Sequence, residues 1–148
     1  MDPLEKIKPA TDTTVGMMRA ASDLGADVYC MAPDDLFIKD VQAFGLVRPV
    51  ELSLDSLQWY GAHEKVEMKL ADLDVIMMRK DPPVDKRYIH ITYMLAQAAR
   101  DGVMVVNDPV ALSTYNEKLL AMKFPDLCPP TVVASDYDVL KSFLSEHK

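Results

Sequence analysis

Glycine is scarce, with five in 148 residues. No GxGxxG follows a strand-like run and no P-loop occurs, so neither glycine-rich phosphate cradle is encoded. Cysteine is scarcer still. Cys30 and Cys128 each lie in or beside an apolar segment, and two thiols in a chain this long make no disulfide scaffold, so buried reduced thiols are expected. The three histidines, His63, His90 and His147, stand apart from cysteine and from one another, which argues against a zinc site. There is no GxSxG elbow, and neither cysteine has the local context of a nucleophile. Basic residues are outnumbered, 16 against 23 acidic, for a net charge of −7, and no Lys/Arg cluster exceeds a pair. A nucleic-acid duplex or an anionic membrane needs a basic footprint, so neither is an expected partner. No apolar stretch approaches the roughly 18 residues of a spanning helix, and the first residues lack a signal-peptide core. Cytoplasm is the default expectation.

What is present is a globular composition, 49% hydrophobic and 26% charged. The chain is organised around Ala71–Asp85, ADLDVIMMRKDPPVD. Asp74–Met78 is a short apolar run suited to a strand buried on both faces. Arg79, Lys80 and Asp81 follow at once, and Pro82–Pro83 must end the strand because neither has an N–H to donate. Asp85 stands where a helix N-cap would stand, ahead of an apolar-periodic stretch. The stretch reads strand, charged loop, helix. In open α/β sheets, ligands bind beyond the carboxyl ends of the strands, at loops of this kind. Residue chemistry alone leaves Arg79 and Lys80 open to a plainer reading as solvated loop charges, and Asp81 as a turn former.

Elsewhere, Thr11 or Asp12 caps a helix whose apolar positions are Met17, Met18, Ala21 and Leu24, with Gly25 as its C′ residue. Ala26–Met31 reads as a strand stopped by Pro33. Within Phe37–Leu54, Val41, Ala43 and Gly45, then Val47 and Pro49, show extended alternation, pointing to an antiparallel hairpin or excursion, and Lys65–Leu70 alternates like an edge strand. Asp85–Arg100 is the best helix, with Tyr88, Ile91, Leu95 and Ala98 on one stripe. Val103–Val106 is a second buried strand, and short helices cover Val110–Ser113 and Asn116–Lys123. Thr131–Ala134 reads as a strand. Ser135 and Asp138 start a last helix with Tyr137, Leu140, Phe143 and Leu144 on its apolar face. Alternating helices and strands with buried runs predict α/β architecture with a mostly parallel sheet.

Three segments, MDPLEKIKPATDTT, LADLDVIMMRKDPP and VVNDPVALSTYNEKLLAMKFPDLCPPT, with the spacing between them, resemble the N-terminal part of the prokaryotic glutathione synthetase family. The R-K-D-P-P and N-E-K-L runs at this separation are specific to it. The resemblance covers essentially the whole chain but under half of such an enzyme. It implies a Rossmann-like, pre-ATP-grasp domain with helices on both faces of the sheet over 1–115, and the beginning of an ATP-grasp domain over 116–148. The implied activity joins γ-glutamylcysteine to glycine using ATP and Mg²⁺, through an acyl phosphate, in a protein that is a homo-oligomer at full length.

Position by position, the resemblance makes Arg79 the arginine on the substrate side of the cleft, where a planar guanidinium takes a carboxylate bidentately. Lys80 and Asp81 would supply a second charge and an acceptor for the substrate's α-amino group. Asp2, Thr13 and Thr14 match positions facing the same cleft. Lys118 resembles the first ATP-grasp lysine, a point charge for a nucleotide phosphate; without the resemblance it reads as a surface helix lysine. Cys128-Pro129-Pro130-Thr131 looks like the entry to the ATP-grasp module. Family members also carry a short apolar strand ahead of the Met-Asp-Pro segment, lying between the strands that Ala26–Met31 and Asp74–Met78 form. Those two strands are therefore expected to be parallel but without mutual ladder hydrogen bonds.

Two other readings compete: a non-catalytic domain retained for association or ligand binding, and a related ATP-grasp ligase with another carboxylate substrate. The R-K-D-P-P run favours the glutathione synthetase reading over the last. The family's Lys-Pro-Leu-Asp-Gly run, its glycine-rich loop and its acidic Mg²⁺ ligands have no counterpart in these 148 residues. Without them the developing phosphoryl charge is not offset, so this segment alone is expected to form no glutathione from ATP, γ-glutamylcysteine and glycine. An assay of the purified 148-residue chain checks it, and ATP-dependent turnover would overturn it.

Overall fold

Asp12 opens the first helix, α1 (Thr13–Asp23), by accepting the Thr14 N–H on its side chain at 2.7 Å. Gly25, at φ 82°, supplies the left-handed residue that ends it. A short strand β1 (Tyr29–Cys30) follows, then a single 3₁₀ turn at Pro33–Asp35. Asp35 is buried, and its carboxylate accepts from the Ala32 N–H and pairs with Lys65. The chain runs on as β2 (Leu36–Lys39), turns at Asp40 and Val41, and returns as β3 (Gln42–Leu52). Next come β4 (Tyr60–Ala62), β5 (Val66–Lys69) and β6 (Val75–Met77). Helix α2 (Lys86–Arg100) is capped by Asp85, which accepts the Tyr88 N–H at 2.9 Å. Strand β7 (Met104–Val106) and three helices complete the chain: α3 (Pro109–Thr114), α4 (Glu117–Leu120) and α5 (Tyr137–Glu146). This computed structural model describes residues 1–53, 58–81 and 83–147. Pro82 of the central stretch thus lies outside the described residues. Among those described, no helix is long and apolar enough to cross a membrane.

The architecture is mixed α/β, but the expectation of a mostly parallel sheet is not met. Strands β1 to β5 form an antiparallel sheet built on β3, and among the described residues only β6 and β7 pair in parallel. The physical reason is connectivity. The chain reverses at Asp40-Val41 and again between Leu52 and Tyr60, so its neighbours run antiparallel. A helical crossover joins parallel neighbours only once among the described residues, from β6 through α2 to β7. The antiparallel hairpin read from sequence in this region is present, as β2 and β3 joined at Asp40-Val41, and its second strand, β3, is also the spine of the larger sheet. On one side β3 pairs with β4 from Val50↔Ala62 to Leu52↔Tyr60 and with β5 from Phe44↔Lys69 to Val47↔Val66. Pro49, which has no N–H to give a ladder, falls in the break between those two stretches.

Ala26–Met31 and Asp74–Met78 behave as expected in their hydrogen bonding. No backbone hydrogen bond among the described residues joins them. A cleft of about 740 Å³ is lined by Val28 and Cys30 of the first segment and Val75 and Ile76 of the second.

The chain divides into two compact units, Met1–Ser113 and Thr114–Lys148. In the first, one core cluster joins Ala43, Leu70 and Ile76 to the α2 stripe of Ile91, Leu95 and Ala98. A second gathers Leu4, Val15, Met18, Val50 and Trp59. The α2 stripe is the one its sequence period gives. For α1 the buried residues are Val15 and Met18, and Leu24 is 89% exposed because it lies past the helix end. In the second unit, Thr131–Ala134 is not a strand, because no described segment offers it a ladder. Its last helix starts at Tyr137 with Asp136 as the cap, accepting from the N–H groups of Asp138 and Val139. Ser135 and Asp138 therefore do not form the expected cap, and Tyr137 and Leu144 are exposed.

Leu70 is fully buried at the junction of β5 and β6. Leu70→Ala should lower the stability of the first unit by about 2–5 kcal/mol, as for other enclosed leucines. Leu24→Ala should stay within about 0.5 kcal/mol. Urea unfolding of the two variants checks both values.

Candidate functional site

The ladder of β6 runs one bond past its last residue, with the Met78 N–H donating to the Val106 carbonyl at 2.8 Å. Arg79, Lys80 and Asp81 then leave the sheet at its carboxyl end. Opposite them stands the first turn of α1, which the Asp12 cap fixes so that Thr13 and Thr14 come side by side. Arg79 Nη2 donates to Thr13 Oγ1 at 2.9 Å, and its Nε donates to Thr14 Oγ1 at 3.3 Å. The two threonines thus occupy the Nε–Nη2 edge of the guanidinium. Its other edge, Nη1 with the second Nη2 hydrogen, has no partner among the described residues. That is the end-on face a carboxylate takes with two parallel hydrogen bonds.

A second set of contacts lies beside the first. Lys80 Nζ pairs with Asp2 Oδ1 at 2.9 Å and donates to the Asp81 carbonyl at 2.7 Å. The Asp81 N–H donates to Asp2 Oδ2 at 3.4 Å. The Asp81 side-chain carboxylate is exposed and unpaired among the described residues. Asp2, Asp12, Thr13, Thr14, Arg79 and Asp81 line one polar hollow of about 220 Å³. Lys80 is not among its walls; it lines the larger cleft.

Burial alone would raise the Asp2 carboxyl. The Lys80 hydrogen bond, the Asp81 N–H and the Lys80 charge outweigh it and hold the group below its usual range. Burial pushes the half-buried Cys30 thiol up, partly opposed by the Arg48 charge, which is the wrong direction for a nucleophile.

Six of the residues read from sequence, Arg79, Lys80, Asp81, Asp2, Thr13 and Thr14, are brought together in the first unit. Lys118 belongs to the second. It is exposed in the first turn of α4, and its N–H donates to the Asn116 side chain at 3.0 Å. Sequence reasoning missed Asp12 as a wall of the hollow. Its signal was present, since a helix cap directly before two site threonines must share their surface.

The sequence profile of the prokaryotic glutathione synthetase N-terminal domain matches residues 1–113. The chain belongs to that family. It is 40% identical over 147 residues to the glutathione synthetase of Xanthomonas axonopodis pv. citri, covering 99% of this chain and 46% of that protein. With the glutathione synthetase of Pseudomonas aeruginosa the identity is 38% over 148 residues, covering 100% of this chain and 47% of the relative. The glutathione synthetase of Nitrosomonas europaea is 40% identical over 152 residues, again with 47% of its length covered. The chain spans about half the length of the curated relatives it matches. Within this glutathione synthetase family domain, the polar hollow falls wholly inside the matched residues.

The Asp2–Lys80 pair carries a pH signature. The folded carboxyl lies below its ordinary value of 3.8, so its contribution to stability is full above that value and fades as pH falls through the lower folded one. The melting temperatures of wild type and Asp2→Asn should differ by a constant amount from about pH 5 to 7 and converge below about pH 4. Thermal melts across that range check it.

Proposed function

We propose that this chain is the γ-glutamylcysteine-binding, N-terminal part of a glutathione synthetase, an ATP-dependent ligase that joins γ-glutamylcysteine to glycine. The observation that carries the reading is the open end-on edge of Arg79 beside the unpaired Asp81 carboxylate, inside the residues that match the family. Of the charged walls, Asp2 is engaged with Lys80 and Asp12 with the Thr14 N–H; the remaining open cation and open carboxylate suit a ligand that bears both a carboxylate and an α-ammonium group. Arg79 takes the carboxylate, Asp81 accepts from the ammonium, and Thr13 and Thr14 keep the guanidinium turned toward the hollow. Asp2 and Lys80 stand at the rim of the same arrangement.

In this reading 1–115 is the pre-ATP-grasp domain, and the β6–α2–β7 crossover is its Rossmann-like portion. Residues 116–148 begin the ATP-grasp domain. Lys118 is the residue here that would meet a nucleotide phosphate, as a single exposed ammonium charge. ATP, when bound, supplies the phosphoryl group that activates the substrate carboxylate as an acyl phosphate. Among the described residues, no three carboxylate, imidazole or thiol groups converge as metal ligands, so Mg²⁺ has no fitting donor set here and no step is assigned to it. The reading also makes the full-length protein a cytoplasmic homo-oligomer.

Titration of the chain with γ-glutamylcysteine tests the proposal. Arg79→Ala should weaken binding by about 2–3 kcal/mol, the range of a charge-assisted bidentate pair. In the full-length ligase the same change should raise the dipeptide KM and leave the ATP KM nearly unchanged, with Lys118→Ala doing the reverse. An unaltered dipeptide affinity in Arg79→Ala would remove the ligand role from the loop after β6.

A further inference from the structure

Of the charged side chains in and beside the hollow, Asp12 caps α1, Arg79 and Asp81 keep polar atoms open, and Asp2 and Lys80 face each other. Arg79 keeps one edge open and Asp81 keeps its carboxylate open. Asp2 and Lys80 are engaged with each other. One Asp2 oxygen holds the Lys80 ammonium at 2.9 Å, and the other accepts the Asp81 N–H at 3.4 Å. The same ammonium also donates to the Asp81 carbonyl at 2.7 Å. Three bonds therefore close on one short stretch of backbone, and all three reach across to residue 2 or brace the loop against itself. The Lys80 side chain is about three-quarters buried, with 25% of it exposed. It lines the apolar cleft rather than the polar hollow, so a ligand in the hollow meets it only if the Asp2 pair opens.

We propose that Asp2 and Lys80 are positioning residues, a clip that fastens the loop after β6 to the opening segment and sets Arg79 and Asp81 at a fixed spacing. The purpose of the clip rests on the ligand reading given above; its geometry does not. Without it, the described side-chain hydrogen bonds between this loop and the rest of the unit would reduce to those of Arg79 with Thr13 and Thr14. Arg79 would then have to anchor the loop and bind the ligand with one group. The clip separates the two tasks. It also removes one cation and one anion from competition for a zwitterionic ligand.

A double-mutant cycle on the whole chain tests this, using Asp2→Asn, Lys80→Met and their combination, with γ-glutamylcysteine as the probe. If the two residues act as one clip, each single change weakens binding about tenfold and the combination is no worse than either alone. If each touched the ligand independently, the losses would multiply to about a hundredfold, and the proposal would fall. Lys80→Arg, which keeps the pair with Asp2, should bind like wild type.

A ligand-free readout runs beside the titration. The Arg79 Nε–H resonance in ¹⁵N NMR should shift or broaden in both single variants, because the loop that carries it is released. An unchanged resonance overturns the clip whatever the binding data. A resonance that responds in both variants, in a wild-type chain that does not bind the dipeptide, upholds the clip and removes the ligand reading instead. Melting temperatures of the three variants separate local release from global unfolding.

Discussion

Strand β3 is the constraint on which the rest of the first unit depends. Four other strands reach the sheet only by pairing with it, two along each edge. Its residues Ala43, Val47 and Val50 are buried, and Ala43 belongs to one core cluster and Val50 to the other. A period-2 strand of eleven residues can do this because each face carries a separate row of side chains along its whole length. Close packing leaves it little slack. A Cβ built on Gly45 would stand 3.1 Å from Leu70 Cδ2 and still nearer the Met31 thioether, so a side chain there would require both neighbours to shift.

The functional loop inherits its position from that frame at one remove. β6 packs Ile76 into the α2 cluster, and α1 packs Val15 and Met18 into the other. The loop after β6 and the first turn of α1 are thus held by different cores, and the site forms where their ends meet. The charges there are resolved by pairing rather than burial. Asp35, by contrast, is buried, and it keeps both the Ala32 N–H and Lys65 as partners. The Asp2–Lys80 pair is part-buried, and the groups left open beside it, the Arg79 edge and the Asp81 carboxylate, are the ones a ligand can engage.

Much of this was legible in the sequence, and the parts that were not have physical causes. The site loop was visible because Pro82-Pro83 must end a strand and because Arg79, Lys80 and Asp81 crowd three charges into its mouth. Helix α2 was visible because Ile91, Leu95 and Ala98 follow a 3.6 period that tertiary packing only had to accept. An antiparallel hairpin was legible around Val41, but the direction of the sheet as a whole was not. Short apolar runs say that a strand is buried without saying which way its neighbour points, and Val41 in the turn carries none of the usual reversal signals. The last helix misled for another reason. Tyr137, Leu140 and Leu144 have the spacing of a buried stripe, but nothing among the described residues covers Tyr137 or Leu144. Periodicity reports the face a helix offers, and burial needs a second surface to meet it.

The turn between β2 and β3 bears on what sets the register of the hairpin it closes. Both of its central residues have left-handed backbone, Asp40 at φ 48° and Val41 at φ 67°. A β-branched residue resists that region by roughly 1–2 kcal/mol. Isolated from the rest of the protein, this hairpin therefore has no favourable nucleus at its tip. What keeps its register is the stack of Phe37 on Phe44, with ring centroids 5.7 Å apart, and the ladder with β5 on the far side of β3. The register of this hairpin thus rests on one local aromatic pair and on a second strand paired to the opposite edge of β3, rather than on the conformational preference of its turn residues.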